Sequence, residues 1–229
     1  MHVHVVESVL KLNDDVARFN RDALRAAGVY TIDLIGGPGC GKTTLVEKTI
    51  AALRDVFRIG VIVGDLTTAR DAERIAAACG GKGEANVIQI NTGKGCHLEA
   101  HQVRQAMEKI DIANLDLLII ENVGNLVCPA SYDLGEDLRV VLLSVTEGED
   151  KPLKYPPMFQ SANVVVVSKT DLAEACSYDR EAALANIRRV APNARVFETS
   201  AKTGRGMDTW REFLVQKQQE RKTQNPLSL

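Results

Sequence analysis

The octet GGPGCGKT at 36–43 ends in a lysine and a threonine behind a run of glycines, a pattern whose chemistry is phosphate binding. It satisfies G-x-x-x-x-G-K-[ST], in which a tight loop turns its backbone N–H groups toward a phosphate at the mouth of a helix. Gly37, Pro38, Gly39, Cys40 and Gly41 supply that loop. Lys42 reaches the β- and γ-phosphates, Thr43 offers its hydroxyl to Mg²⁺, and Thr44 completes the nucleotide-binding set. An apolar run precedes the octet and a helical pattern follows it, which is the context the motif requires. Cys40 is read as a small packed residue, the commoner fate of a free cysteine, rather than as a reactive thiol.

Phosphate chemistry also needs carboxylates to hold the metal ion and orient water. Asp65 in VGDLTT and Glu121 in IIENVGN each close an apolar run, where open α/β sheets bind ligands. With Lys42 they form the candidate catalytic set, and with Thr43 they form the candidate magnesium site. The alternative for each is a capping or turn carboxylate. Glu121 and Gly124 together make an ExxG pattern like that of a nucleotide-sensing switch. Thr68, with Asp71 three residues on, resembles a capping box, so Asp71 is read as structural, the alternative being a switch role.

VVVVSKTD at 164–171 resembles the [NT]KxD element that reads guanine. The Asp171 carboxylate can accept from guanine N1–H and the exocyclic amine, while adenine would leave buried polar groups unpaired. The Lys169 stem covers the base. TSAKTG at 199–204 brings Ser200, Ala201 and Lys202 as the companion loop. Ser168 stands where asparagine is usual, so one polar contact to the base or the phosphate loop is expected to weaken.

A third group is soft. Cys96 and His97 adjoin in NTGKGCHLEAH, and Cys128 lies in NVGNLVCPASYD. Thiolates and imidazole suit Zn²⁺ or Ni²⁺, tetrahedral for the first and square-planar for the second. Spacing alone does not choose between a shared site and unrelated packed cysteines beside an exposed histidine. His101, four residues beyond His97, is the weakest candidate.

These residues need elements to position them. Apolar, non-alternating runs at 30–36, 57–64, 86–91, 115–122, 139–146, 163–169 and 194–200 read as strands covered on both faces. Helical stretches separate them, which predicts an α/β fold: a mostly parallel seven-stranded sheet between helices. Residues 5–27 carry Val9, Leu12, Val16, Phe19 and Ala23 at helical spacing, stopped by Gly28. The expected organisation is a helical extension over 1–28, a nucleotide-binding domain with embedded metal loops over 29–216, and a polar, fraying tail over 217–229.

A net charge of −2 in 229 residues gives no general pull toward nucleic acid or anionic membrane. Five scattered cysteines argue for a reducing compartment. Without a signal-like or membrane-length apolar segment, the expected location is cytoplasmic.

Beyond single motifs, the phosphate loop, QINTGKGCHLEAH, LLIIENVGNLVCPASYDLGE, VLLSVTEGEDKPLKYPPMF and SKTDL together resemble the hydrogenase nickel-incorporation GTPases, the HypB family, over about residues 28–215. The resemblance implies a SIMIBI-class P-loop GTPase that cycles between GTP and GDP with Mg²⁺. It also implies nucleotide-dependent homodimerisation and nickel delivery to [NiFe]-hydrogenase, with the hydrogenase large subunit or accessory maturation proteins as partners. Cys96, His97 and Cys128 become a Ni²⁺ or Zn²⁺ site at the dimer interface, completed by the second subunit. Some family members carry an N-terminal cysteine motif or histidine-rich stretch; here only His2 and His4 stand there, so a second tight site is not expected. The competing readings are a urease-type or other metal-cofactor accessory GTPase, a P-loop enzyme without metal transfer, and a docking module that nucleotide merely stabilises.

Overall fold

The computed structural model describes residues 9–65, 69–79, 86–93 and 95–224. His2, His4 and Thr68, each given a reading above, lie outside them. Seven strands form one sheet: β1 (Tyr30–Gly36), β2 (Ile59–Asp65), β3 (Val87–Asn91), β4 (Leu117–Gly124), β5 (Leu138–Ser144), β6 (Val164–Ser168) and β7 (Arg195–Glu198). Their order is β3-β2-β4-β1-β5-β6-β7 and every pairing is parallel. The chain winds outward from β1 in both directions, so the loop after β1 opens at the point where strand order reverses. That is where doubly wound sheets bind ligands.

Helices cover both faces: α1 (Val9–Ala26), α2 (Lys42–Leu53), α3 (Arg70–Ala78), α4 (Ala100–Met107), α5 (Lys151–Lys154), α6 (Pro156–Gln160), α7 (Arg180–Val190) and α8 (Met207–Gln224). Leu117 and Ile119 of β4 pack with Val46 and Ile50 of α2 and Trp210 of α8. The intervening Leu118 and Ile120 pack with Leu24 of α1 and Val103 of α4. Successive strand residues thus meet opposite layers, which is why the apolar runs do not alternate.

Helical spacing over residues 5–27 marks α1 but does not say which face is inward. The face that α1 buries is not the apolar one: Leu12 is 55% and Phe19 65% exposed, while Asn13, Ala17, Asn20 and Leu24 are buried. The asparagines win because their amides find backbone partners. Asn13 Oδ1 accepts from Ala100 N at 2.9 Å and its Nδ2 donates to Asp133 O at 2.8 Å. Asn20 Nδ2 donates to Ala100 O at 2.8 Å and to Leu134 O at 3.1 Å. A buried amide so satisfied avoids its desolvation penalty. Gly28, at φ 74°, ends the helix in the left-handed conformation that favours glycine.

The expected fraying of the C-terminal tail is wrong as far as Gln224. There α8 continues: Gln218 is fully buried and donates to Gly28 O and Asp116 O, while Lys222 pairs with Asp116 at 2.8 Å and Arg221 with Asp137.

Candidate functional site

The loop from Gly36 to Gly41 leads directly into α2. Gly41 takes φ 104°, and a Cβ on Gly36 would lie 2.5 Å from Cys40 Sγ, so the cysteine packs under the loop in space that the glycine leaves. Cys40 is buried, which raises its thiol pKa. Lys42 Nζ donates back to the carbonyls of Gly36 and Gly37 at 3.1 and 3.3 Å.

A cleft of about 510 Å³ opens above this loop and is walled by Lys42, Thr43, Thr44, Asp65, Asp71 and Glu121 among others. Thr43 Oγ1 donates to Glu121 Oε1 at 2.7 Å, and Glu121 Oε2 is buried with no hydrogen-bond partner. Burial raises the Glu121 carboxyl to about 7, against the pull of Thr43 and Lys42. Asp71, read as structural, makes a 3.4 Å bond to Arg74, which also holds Glu47. It faces the cleft as well, the position that the alternative switch reading requires.

A second cavity of about 210 Å³ adjoins the first and is lined by Ser168, Lys169, Asp171, Ala201 and Lys202 among others. Lys169 sits at φ 57° and its Nζ donates to Gly39 O at 2.6 Å. Asp171 Oδ1 accepts from Ser200 Oγ at 2.6 Å, a bond that lowers the Asp171 pKa and keeps it an acceptor. Ser168 Oγ donates to Cys40 O at 2.6 Å, so the contact to the phosphate loop is made in spite of the shorter side chain.

The soft residues also converge. The ligand atoms of Cys96, His97 and Cys128 lie within 4.8 Å of one another, the one such cluster among the described residues. The Sγ atoms of Cys96 and Cys128 are 2.8 Å apart, and His97 Nδ1 is 3.7 Å from Cys96 Sγ. Their meeting is not a simple consequence of strand order, because β2 lies between β3 and β4. After β3 the chain crosses the end of β2: Thr92 N donates to Asp65 O, and Leu98 lies where a Cβ on Gly64 would be, at 2.8 Å.

Three supports fix the cluster. The Tyr132 ring lies 3.8 Å from that of His97, Asn13 ties Ala100 to Asp133, and Glu99 Oε1 stands 3.8 Å from His97 Nε2. Burial lowers the His97 pKa, which favours the neutral imidazole a metal takes. His101 falls outside the cluster, exposed beside Glu99 at 3.2 Å. The spacing of Asn13 and Asn20, seven residues apart on one helical face, is the only sequence signal that could have exposed the supports.

The profile of the CobW/HypB/UreG nucleotide-binding domain matches residues 31–198. The chain is 47% identical to the hydrogenase maturation factor HypB of Azotobacter chroococcum over 208 residues, 91% of this chain and 67% of that one. It is 42% identical to the probable HypB of Methanocaldococcus jannaschii, covering 92% and 93% of the two chains. This chain belongs to the HypB family. Helicobacter pylori HypB, solved in complex with nickel, superposes with a TM-score of 0.85 at 38% identity, covering 91% of this chain and 96% of that one. Archaeoglobus fulgidus HypB gives 0.83 at 39%, covering 91% and 99%. The signal recognition particle 54 kDa protein of Aeropyrum pernix shares the fold, at TM-score 0.55 and 16% identity, over 82% of this chain and 46% of that one. Among the described residues no helix is long and apolar enough to cross a membrane.

Proposed function

We propose that this protein hydrolyses GTP to GDP and phosphate and uses the cycle to control a homodimer that carries nickel to [NiFe]-hydrogenase during its maturation. The observation that carries the reading is the course of one segment. Residues 121–128 begin at the carboxylate bonded to Thr43 and end at a thiol of the soft cluster.

In this reading Asp171 selects guanine and Lys169 covers it, with Ser200, Ala201 and Lys202 closing the pocket. Lys42 exchanges its loop carbonyls for the β- and γ-phosphates. The buried, unpartnered Glu121 Oε2, with the Thr43 hydroxyl and Asp65, makes an oxygen donor set of the kind Mg²⁺ accepts. Bound there, the ion would neutralise charge between the β- and γ-phosphates. Asp65 and Glu121 orient the attacking water, and the Glu121–Gly124 stretch responds to loss of the γ-phosphate.

Cys96, His97 and Cys128 hold the cargo metal. Three half-buried donors, with Val127 beside them 62% exposed, fit completion by a second copy. Helicobacter pylori HypB with nickel supports Ni²⁺ as cargo, and the donor set also suits Zn²⁺. The accessory partners are hydrogenase maturation proteins or the large subunit, in the cytoplasm. A relative named as a hydrogenase/urease maturation factor, from Helicobacter hepaticus, is 42% identical and favours urease as a second destination.

The test is a Ni²⁺ titration of the wild type and the Cys96→Ala, Cys128→Ala double variant, each with GDP and with a non-hydrolysable GTP analogue, read beside oligomeric state. The wild type should bind one metal per dimer and the variant none, with nucleotide binding retained. Equal Ni²⁺ uptake by the variant would refute the ligand assignment.

A further inference from the structure

The five residues Glu121–Asn125 touch the phosphate loop and the Cys-His turn at two points each. On the nucleotide side, Glu121 accepts from Thr43, and a Cβ on Gly124 would stand 3.2 Å from Pro38 Cα. On the metal side, two asparagine amides hold the peptide groups that flank His97. Asn125 Nδ2 donates to Cys96 O at 3.0 Å, and Asn122 Oδ1 accepts from Leu98 N at 3.3 Å. Asn125 Oδ1 also accepts from Val127 N at 2.9 Å, next to Cys128. Asn122 is buried and its Nδ2 is anchored on Asp33, at 3.2 and 3.4 Å to the two carboxylate oxygens.

The backbone between these contacts is irregular. Leu34 pairs with Glu121 and Gly36 with Gly124, so two steps along β1 face three along β4. A bulge of this kind redirects side chains and frees one residue from the ladder. A ladder in strict register would resist local movement, whereas this one has an extra residue where the nucleotide contacts begin.

We propose that Asn122, on the wall of the nucleotide cleft, and Asn125, outside it, are positioning residues that transmit nucleotide state to the Cys96-His97-Cys128 cluster. A shift of Glu121 or Gly124 toward a γ-phosphate moves both amides together, and they carry the peptide groups on either side of His97 and the approach to Cys128. This rests on the coupled-cycle reading above. Coupling between two sites is a free energy and must be reciprocal.

The experiment compares Asn125→Ala and Asn125→Asp with the wild type. The aspartate keeps an acceptor for Val127 N and removes the donor to Cys96 O. Ni²⁺ affinity is measured by competition with a chromophoric chelator in the GDP and GTP-analogue forms, and GTP-analogue affinity is measured with and without Ni²⁺. The wild-type ratio between nucleotide forms should lie in the range of about 5- to 150-fold. In both variants it should fall below about 2-fold in either direction of the linkage, with Ni²⁺ stoichiometry and metal-free nucleotide affinity retained. Thermal unfolding of the metal-free variants confirms that they fold. A wild-type ratio preserved in the variants overturns the role of the asparagines. Complete loss of Ni²⁺ binding in both variants also overturns it, by showing that Asn125 builds the cluster instead of linking it. A wild-type ratio of one refutes the coupled cycle itself.

Discussion

Replacing Asp116 by asparagine should weaken the fold and leave the function intact. Asp116 lies just before β4, at the sheet edge opposite the nucleotide cleft. Its carboxylate takes Arg58 N at 2.9 Å, Arg58 Nε at 3.0 Å and Lys222 Nζ at 2.8 Å. Burial alone would raise its pKa, but Arg58 and Lys222 outweigh burial and bring it down to about 2 from the usual 3.8. That difference corresponds to about 2.4 kcal/mol. Arg58 and Lys222 are both more than half exposed, so solvent screening reduces the usable part to about 1 kcal/mol.

The sign follows from the depressed carboxyl. The contribution is complete above about pH 4, where the unfolded chain is already ionised, and is lost as pH falls through 2. Urea unfolding of Asp116→Asn should therefore show about 1 kcal/mol less stability at pH 7, and a gap that narrows as the pH is lowered below 4. GTP-analogue and Ni²⁺ affinities should stay at wild-type values. A gap that is constant down to pH 3, or absent at pH 7, would refute the argument, as would a loss of nucleotide affinity without a loss of stability.

Two further predictions test the site. Asp171→Asn removes an acceptor for guanine N1–H and places a donor there, so GTP binding should weaken by about 10²- to 10⁴-fold while xanthosine triphosphate gains, measured by fluorescent-nucleotide displacement. Asn20→Leu leaves the carbonyls of Ala100 and Leu134 without their buried donor and should cost about 1–3 kcal/mol in urea unfolding. Its Ni²⁺ affinity should fall further than its nucleotide affinity, and unchanged metal binding would show that α1 does not shape the cluster.

The strands and the phosphate loop were legible because their signals are local. Continuous apolar runs mark strands covered on both faces, and GGPGCGKT carries its loop, lysine and hydroxyl in eight consecutive residues. What the sequence concealed depends on distant partners. The spacing of Leu12 and Phe19 marked a helix but not its inner face, where Asn13 and Asn20 are buried because Ala100, Asp133 and Leu134 receive them. Gln218 and Lys222 looked like a solvated tail because their partners, Gly28 and Asp116, lie far back in the chain. Residue types announced a possible soft-metal cluster. The crossing of Leu98 over Gly64, on which its assembly depends, has no sequence signature. Asn122 and Asn125 drew no reading of their own beside the more conspicuous Glu121.

The asparagine clasp on α1 also sets a timetable. Asn13 waits for partners 87 and 120 positions further along, contacts of the long-range kind that form slowly because a large loop must close first. During synthesis the helix emerges early and can be fastened only after residue 133 has emerged. On that order the thiols of Cys96 and Cys128 should come into register at a late stage of folding. In the proposed cycle, competence to capture metal would thereby be deferred until the central strands are assembled, an incompletely folded chain presenting two separate thiols instead of a chelating set.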